Sequence, residues 1–355
     1  MKKTLDILLT AIILILAGCQ DKPSLDPVTG PSESHPIQFG ISADLEVESK
    51  SALIEGDTFD ENGNLVKEGN YKDFGFIALS NLTVDANSDR QPSIFGANGT
   101  EVKYVSNAWT YSPLRFWQTG TYNFAGVMPS SIFNATHNHT ATTQSGTGIA
   151  SLTETTDGSQ LTLNFGPNGF NLAETQTDLM VAVSSQTVQS SASAGRVDFD
   201  FTHQLALINI EVQIGDSPTD IVVNNINIYG NRQVATVATF VNISSGNDAT
   251  IIAEWALGSR TTADNCYHQV TGTKIENLLV FPESDSDILT VAVSYTESYG
   301  TSTFFKTKYG EIDINWQAGK IYTYKTILTS DSIVFGAPTV SDWSNGGAAD
   351  DIPQM

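Results

Sequence analysis

The chain is predicted to be all-β, folded as β-sandwiches, and three observations carry that expectation. Short segments rich in Val, Ile, Thr, Tyr and Phe alternate with period two, and Gly, Asn, Asp and Ser punctuate them. No window sustains an apolar period of 3.6 residues for longer than a turn or two. The length of 355 residues, less a leader and a tether, exceeds one ordinary sandwich and points to two domains.

The leader comes first. Lys2 and Lys3 form a basic start, Leu8 to Leu16 an apolar stretch, and Leu16-Ala17-Gly18 places small residues directly before Cys19. This is too short for a membrane span and reads as a bacterial lipoprotein signal over residues 1–18, with cleavage before Cys19 and acylation of its thiol. Several acyl chains, at about 0.8 kcal/mol per buried CH₂, make such an anchor effectively permanent. Cleavage removes Lys2, Lys3 and Asp6 and takes the net charge from −22 to −23. A field of that sign repels nucleic acid and anionic headgroups, so nucleic acid is not an expected partner. A lipidated Cys19 leaves Cys266 without an intramolecular partner, so stability has to come from packing.

Residues 19–36, rich in Pro and polar side chains, read as a flexible tether. The first strand follows: Ile37, Phe39, Ile41, Ala43, Leu45 and Val47 alternate over eleven residues. Asp57 to Asn64 fails as a calcium loop, because the frame that puts Gly63 sixth starts on Thr58 and ends on Gly69; Asn62-Gly63 is a tight turn instead. Residues 108–129 gather Trp109, Tyr111, Phe116, Trp117, Tyr122 and Phe124. Their alternation reads as two strands packing a hairpin into a core, with Trp117 the ring expected to be partly exposed beside Phe116. Ser130 to Gln160 is crowded with Thr, Ser, Asn and Gly and reads as a long loop, and so does Ser184 to Gly195, which marks a domain boundary near residue 190. Beyond it Val197, Phe199, Phe201, His203, Leu205 and Leu207 share one strand face, opposite Asp198, Asp200, Thr202 and Gln204. Clear strands return at Leu161–Phe165, Ile221–Tyr229, Ile288–Tyr295 and Ile321–Leu328.

The chemistry-bearing residues form no catalytic constellation. There is no nucleophile elbow, phosphate loop, His-Glu-x-x-His or Cys-x-x-Cys. His137 and His139 lie in the Thr-rich loop without acidic or Cys neighbours and read as solvated. His203 falls on an inward face and reads as a hydrogen-bonded core histidine, and Cys266 as an inert thiol. No enzyme, metal or cofactor is expected.

Four stretches, in order behind the lipoprotein signal, carry a resemblance. They are Phe74 to Ala78; Trp109 to Trp117 followed by Tyr122 to Pro129; Thr177 to Ala182 with Val197 to Ala206; and Ala318 to Tyr324 with Val340 to Trp343. Together the chain resembles the fimbrillin-like family of Bacteroidetes, the subunits and accessory proteins of type V pili. The resemblance implies two transthyretin-like β-sandwiches in tandem, set here at residues 37–190 and 191–343 with a tail at 344–355. It implies export as a lipoprotein to the surface of the outer membrane, and assembly with other fimbrillin subunits by β-strand exchange. It also implies that in shaft subunits a trypsin-like protease cuts after Arg or Lys near the end of the first strand region, and that a donor strand fills the groove that opens. Lys50 is the only base soon after that strand, so the expected cut is Lys50–Ser51, although the family more often places Thr-Arg before Ala. The tail after Trp343 makes a poor donor, which leaves Ile333 to Val340 as donor or a chain-ending role. Asp331-Ser332-Ile333 resembles the Bacteroidetes O-glycosylation pattern, with Ser332 the acceptor. The expected role is a structural or adhesive fimbrial component that contacts host or bacterial surface receptors; the alternative is a surface lipoprotein that binds glycans through a flat array of exposed rings.

Overall fold

The computed structural model describes residues 35–41, 58–59, 65–67, 75–83, 94–96, 99–130, 149–154, 160–165, 169–172, 176–190, 194–217, 219–241, 252–260, 268–284 and 287–343. These are strands and their connections, with no α-helix among the described residues, so the all-β expectation holds. In chain order the first eight are β1 (Phe39–Ile41), β2 (Thr58–Phe59), β3 (Leu65–Lys67), β4 (Phe76–Thr83), β5 (Thr100–Val105), β6 (Ala108–Thr110), β7 (Gly120–Met128) and β8 (Ile149–Glu154). Next come β9 (Gln160–Phe165), β10 (Phe170–Asn171), β11 (Met180–Val188), β12 (Val197–Phe199), β13 (Thr202–His203), β14 (Ala206–Ile214), β15 (Asp220–Tyr229) and β16 (Val234–Val241). The last are β17 (Ile252–Leu257), β18 (His268–Thr271), β19 (Lys274–Val280), β20 (Ile288–Tyr299), β21 (Ser302–Asp313), β22 (Lys320–Leu328), β23 (Ile333–Phe335) and β24 (Thr339–Asp342).

Four larger sheets result. One runs β13-β11-β7-β4-β5-β6; a second runs β10-β16-β9-β8 with β17 also on β16. A third runs β19-β14-β22-β23, with β24 sharing the outer edge of β22, and a fourth runs β18-β15-β20-β21. β1 and β12 form a parallel pair, and β2 and β3 an antiparallel one; the expected Asn62-Gly63 turn lies outside the described residues. Sheet membership crosses residue 190 in both directions. β12 and β13 pair with β1 and β11, while β16 and β17 join the sheet of β9 and β10. The reason is apolar: Phe199, Phe201, Ala238 and Phe240 have no exposed surface beyond 1% and find their neighbours across that point.

Alternation explains most of the core. Val197, Phe199, Phe201, His203, Leu205 and Leu207 are all buried, as their shared face requires. Gln204 departs from it: the run breaks into β12, β13 and β14, and Gln204 turns inward, donating from its backbone N to Leu179 O at 2.8 Å. Two stretches read as loops are strands in part. Ile149–Glu154 pairs with β9, and Ser184–Val188 continues β11 against β7, where nine residue pairs stay in register. Small polar residues fit this position because the ladder satisfies their backbone groups and their side chains cross-link it, Thr121 Oγ1 lying 3.2 Å from Thr187 Oγ1. Similar uncharged contacts cross the other sheets at Thr162–Thr239 (3.4 Å), Asn209–Thr323 (3.4 Å) and Ser294–Thr307 (3.0 Å).

Candidate functional site

The site is the seat of β1. On one side Ile37 N donates to Arg115 O at 2.8 Å and Trp117 N donates to His35 O at 2.9 Å, around a bridge between Pro36 and Phe116. On the other side Val197 N donates to Gln38 O at 2.8 Å, and Phe39, Gly40 and Ile41 run beside Val197, Asp198 and Phe199. The parallel pair is only three residues long, so side chains hold the strand more than ladder bonds do.

Those side chains are deep. Ile37, Phe39 and Ile41 are buried, and Phe39 touches five other rings. It stacks on Phe199 (5.7 Å, 10°) and meets Phe76, Phe95, Tyr111 and Phe124 at centroid distances of 5.7, 5.5, 5.6 and 6.2 Å. At ~1.5–3 kcal/mol for each buried side chain, the three contribute about 4–9 kcal/mol before ordering costs. The Tyr111 hydroxyl donates to Ile37 O at 2.9 Å and accepts from Arg115 N at 3.2 Å, joining strand to seat. Burial pushes the Tyr111 phenol up, against the pull of the Arg115 hydrogen bond and charge.

Gly40 is the tight point. The Arg196–Asp198 ion pair, 2.6 Å long, closes over it, and a Cβ at residue 40 would lie 2.3 Å from Asp198 Oδ1 and 2.4 Å from Arg196 Nε. Beside the strand a cavity of about 820 Å³ opens, lined among others by Trp109, Tyr111, Leu114, Arg196 and Asp198. A short strand held by alternating apolar knobs thus lies next to open volume.

The aromatic run is sorted differently from the expectation. Trp117 is 3% exposed and packs its ring 4.9 Å from Tyr122, whereas Phe116 is 43% and Leu114 54% exposed. The main-chain bridge to residues 35–37 fixes the register of 115–117 and turns Trp117 inward. Nor do the two halves form a hairpin with each other. β6 pairs with β5, β7 pairs with β4 and β11, and β4 and β5 lie between β6 and β7. Tyr122 and Phe124 are buried, and the core reading of the run holds for them and for Trp117.

Of the residues singled out from sequence, Cys19, Lys50, Ser51, His137, His139 and Cys266 lie outside the described residues. Ser332 sits on the exposed turn between β22 and β23, with its N donating to Thr329 Oγ1 at 3.0 Å and its Oγ 3.2 Å from the same atom. His203 is a hydrogen-bonded core histidine: its Nδ1 is 2.5 Å from Asp178 Oδ2, and its ring stacks on Trp343 at 3.8 Å. Among the described residues no three His, Cys, Asp or Glu side chains are placed to hold a metal ion.

Sequence reading missed a charged cross-brace. Buried Glu283 accepts from Arg232 Nε at 3.2 Å and from Arg260, which also reaches Asp287 Oδ2. The two guanidiniums cap Gly258 O and Gly230 O at 2.7 and 2.8 Å. Burial raises the Glu283 carboxyl above its usual range although both arginines pull it down. The brace joins the ends of β15 and β17 to the turn before β20, and no local spacing announces it.

The chain is all-β, and its first strand lies in an aromatic seat. Its family is identified by the match of the fimbrillin-like family model over residues 76–343: the chain belongs to the fimbrillin-like family. Among solved structures it is similar to a candidate cell adhesion protein of Bacteroides uniformis at 15% identity and TM-score 0.44, covering 88% of this chain and 99% of that one. It is also similar to a fimbrial assembly protein of Parabacteroides distasonis at 12% identity and TM-score 0.40, covering 87% of this chain and 99% of that one. No curated protein matches the chain.

Proposed function

We propose that the chain is a non-enzymatic, structural or adhesive component of type V fimbriae, exported as a lipoprotein on Cys19 and assembled by strand exchange. The observation that carries the reading is the seat of β1, where three buried side chains and a three-residue parallel pair hold the strand beside open volume. In this reading two transthyretin-like sandwiches follow one another, divided near residue 190. A trypsin-like protease at the outer membrane cuts Lys50–Ser51, β1 departs with its buried side chains, and a neighbouring subunit's strand takes the place. A donor of the form apolar-x-aromatic-Gly-apolar matches the knobs and the crowding at Gly40. For Ile333 to Val340 to serve as donor it has to leave β22, with which β23 and β24 pair. Ser332, exposed on its turn, is the candidate acceptor for O-glycosylation.

N-terminal sequencing of the surface-exposed form tests lipidation and cleavage together. A chain beginning at Ser51, with SDS-resistant ladders of high mass in cell extracts, is the expected result. A mature surface form that keeps its N-terminus would rule the cut out. The mass of the peptide containing residues 331–333 checks Ser332.

A further inference from the structure

Beyond Leu328 the described chain turns back along one edge of β22. Ile333, Val334 and Phe335 pair with Leu328, Ile327 and Thr326, and Thr339 to Asp342 pair with Thr323 to Lys320. Trp343 N donates to Gly319 O at 2.8 Å and ends the row. We propose that residues 333–343 are a strap that opens and closes as a unit on the folded protein, with Trp343 as its lock and the His203 ring as the seat of that lock. Among residues 333–343 Trp343 alone is buried. Val334 is 58% and Val340 51% exposed, the other β24 residues are exposed, and Ile333 and Phe335 are half-buried. The Lys320–Asp342 ion pair lies at the surface, and among the described residues no strand pairs with the outer side of the strap. An edge strand of this kind is held chiefly by ladder bonds, which water replaces at small net cost.

The indole is held differently. It leaves the edge of β22 and stacks on His203 of β13, with ring centroids 3.8 Å apart and planes 11° from parallel. The last strand of the third sheet is thereby tied to the first sheet. The seat is fixed from two sides: His203 pairs with Met180 of β11 and its Nδ1 lies 2.5 Å from Asp178 Oδ2, while Gln204 N donates to Leu179 O. The strap comes away whole only when the indole leaves this seat. Closure also carries a cost that opening removes. Trp343 Nε1, His203 Nε2 and Asp178 Oδ1 are buried with no hydrogen-bond partner among the described residues. Each forfeits its bonds to water while the indole is seated and regains them once it is out. Apolar burial and ring stacking close the lock, and three unpaired polar atoms oppose them. That balance places the strap among the segments of a fold that open before the whole does. Opening bares the outer edge of β22, a row of unpaired backbone groups able to accept another extended segment.

The lock belongs to the single chain and does not rest on assembly into fimbriae. Hydrogen exchange of the whole mature chain is the test, read by mass spectrometry at urea concentrations below the unfolding transition. One peptide covers the strap, and peptides from β14 and β20 serve as references. The strap is expected to exchange at least about tenfold faster than the references, with less than about a quarter of their dependence on urea, because a local opening exposes little surface. Trp343→Ala should speed strap exchange about tenfold or more, and Trp343→Phe, which keeps a ring to stack, should recover most of the difference. Strap exchange that follows the references in rate and in urea dependence means that the strap unfolds only with the whole, and overturns the proposal. Strap exchange in Trp343→Ala within about twofold of wild type removes Trp343 as the lock and overturns it too. Should Trp343→Ala not fold, the urea series on the wild type and on Trp343→Phe decides. Absence of SDS-resistant ladders with the local opening intact overturns strand exchange and leaves the lock standing.

Discussion

Two aromatic-rich stretches have opposite fates. Between Trp109 and Phe124, Trp117, Tyr122 and Phe124 are buried and meet ring to ring; on β21, Phe305 and Tyr309 stand in solvent. Both stretches alternate, so alternation alone does not decide. What decides is the number of layers. β7 lies in mid-sheet between β4 and β11, and its Phe124 ring meets Phe39 of β1 across the core. β21 closes one edge of its sheet, and among the described residues its even-numbered side, with Gly310 beneath Phe335, is the one that faces another strand. A ring is a core element where something covers it and stays at the surface where nothing among the described residues does.

That contrast can be broken most forcefully at the seat. Trp117→Ala is expected to cost about 3–5 kcal/mol in urea denaturation, while Phe116→Ala, one residue away, stays within about 0.5 kcal/mol of wild type. Equal effects would mean that the register set by the Pro36–Phe116 bridge is wrong. Gly40→Val comes next. By forcing the Arg196–Asp198 pair aside it should cost about 1–3 kcal/mol, and should raise the rate at which a protease added in trans reaches the first strand. On β21, Phe305→Ala should leave stability within about 0.5 kcal/mol of wild type, which sets the exposed ring against the buried one directly.

The smallest effect is electrostatic and lies on the inner side of the same strand. The hydrogen bond from Lys306 first, then that from Thr219, holds the Glu297 carboxyl below its usual range, and Glu297 in turn holds the Lys306 ammonium above its own. A depressed acid contributes stability above its unfolded pKa and loses it as pH falls through the folded one; a raised base contributes below its unfolded pKa and loses it as pH rises through the folded one. The difference in Tm between wild type and Glu297→Gln should therefore be flat near neutrality, shrink in acid below the usual carboxylate range, and shrink again in alkali above the usual lysine range. A difference that grows in acid would contradict the pairing.

Much of this was legible in the residues. Period two announced the strands, and the alternation of Ile37, Phe39 and Ile41 announced knobs for a seat. The outcome at Trp117 was not legible, because residues 113–119 form no regular strand and their facing is set by main-chain bonds to a segment some eighty positions earlier. Ser184–Val188 was hidden by its own composition, which suits a loop until a partner strand supplies the ladder. The Arg232–Glu283–Arg260 brace was hidden by separation: its members lie 51 and 23 residues apart and meet only because three turns converge. The rings of β21 were visible as letters, but their exposure depends on which strand ends a sheet.

The hydroxyl and amide contacts that cross all four larger sheets carry a consequence for where such a protein can work. A lattice of uncharged cross-strand links neither titrates nor attracts counterions, so strand register is held by bonds that brine, acid and divalent ions leave alone. The ion pairs, such as Lys306–Glu297 and the Arg232–Glu283–Arg260 brace, are the part of the structure that a change of pH reaches first.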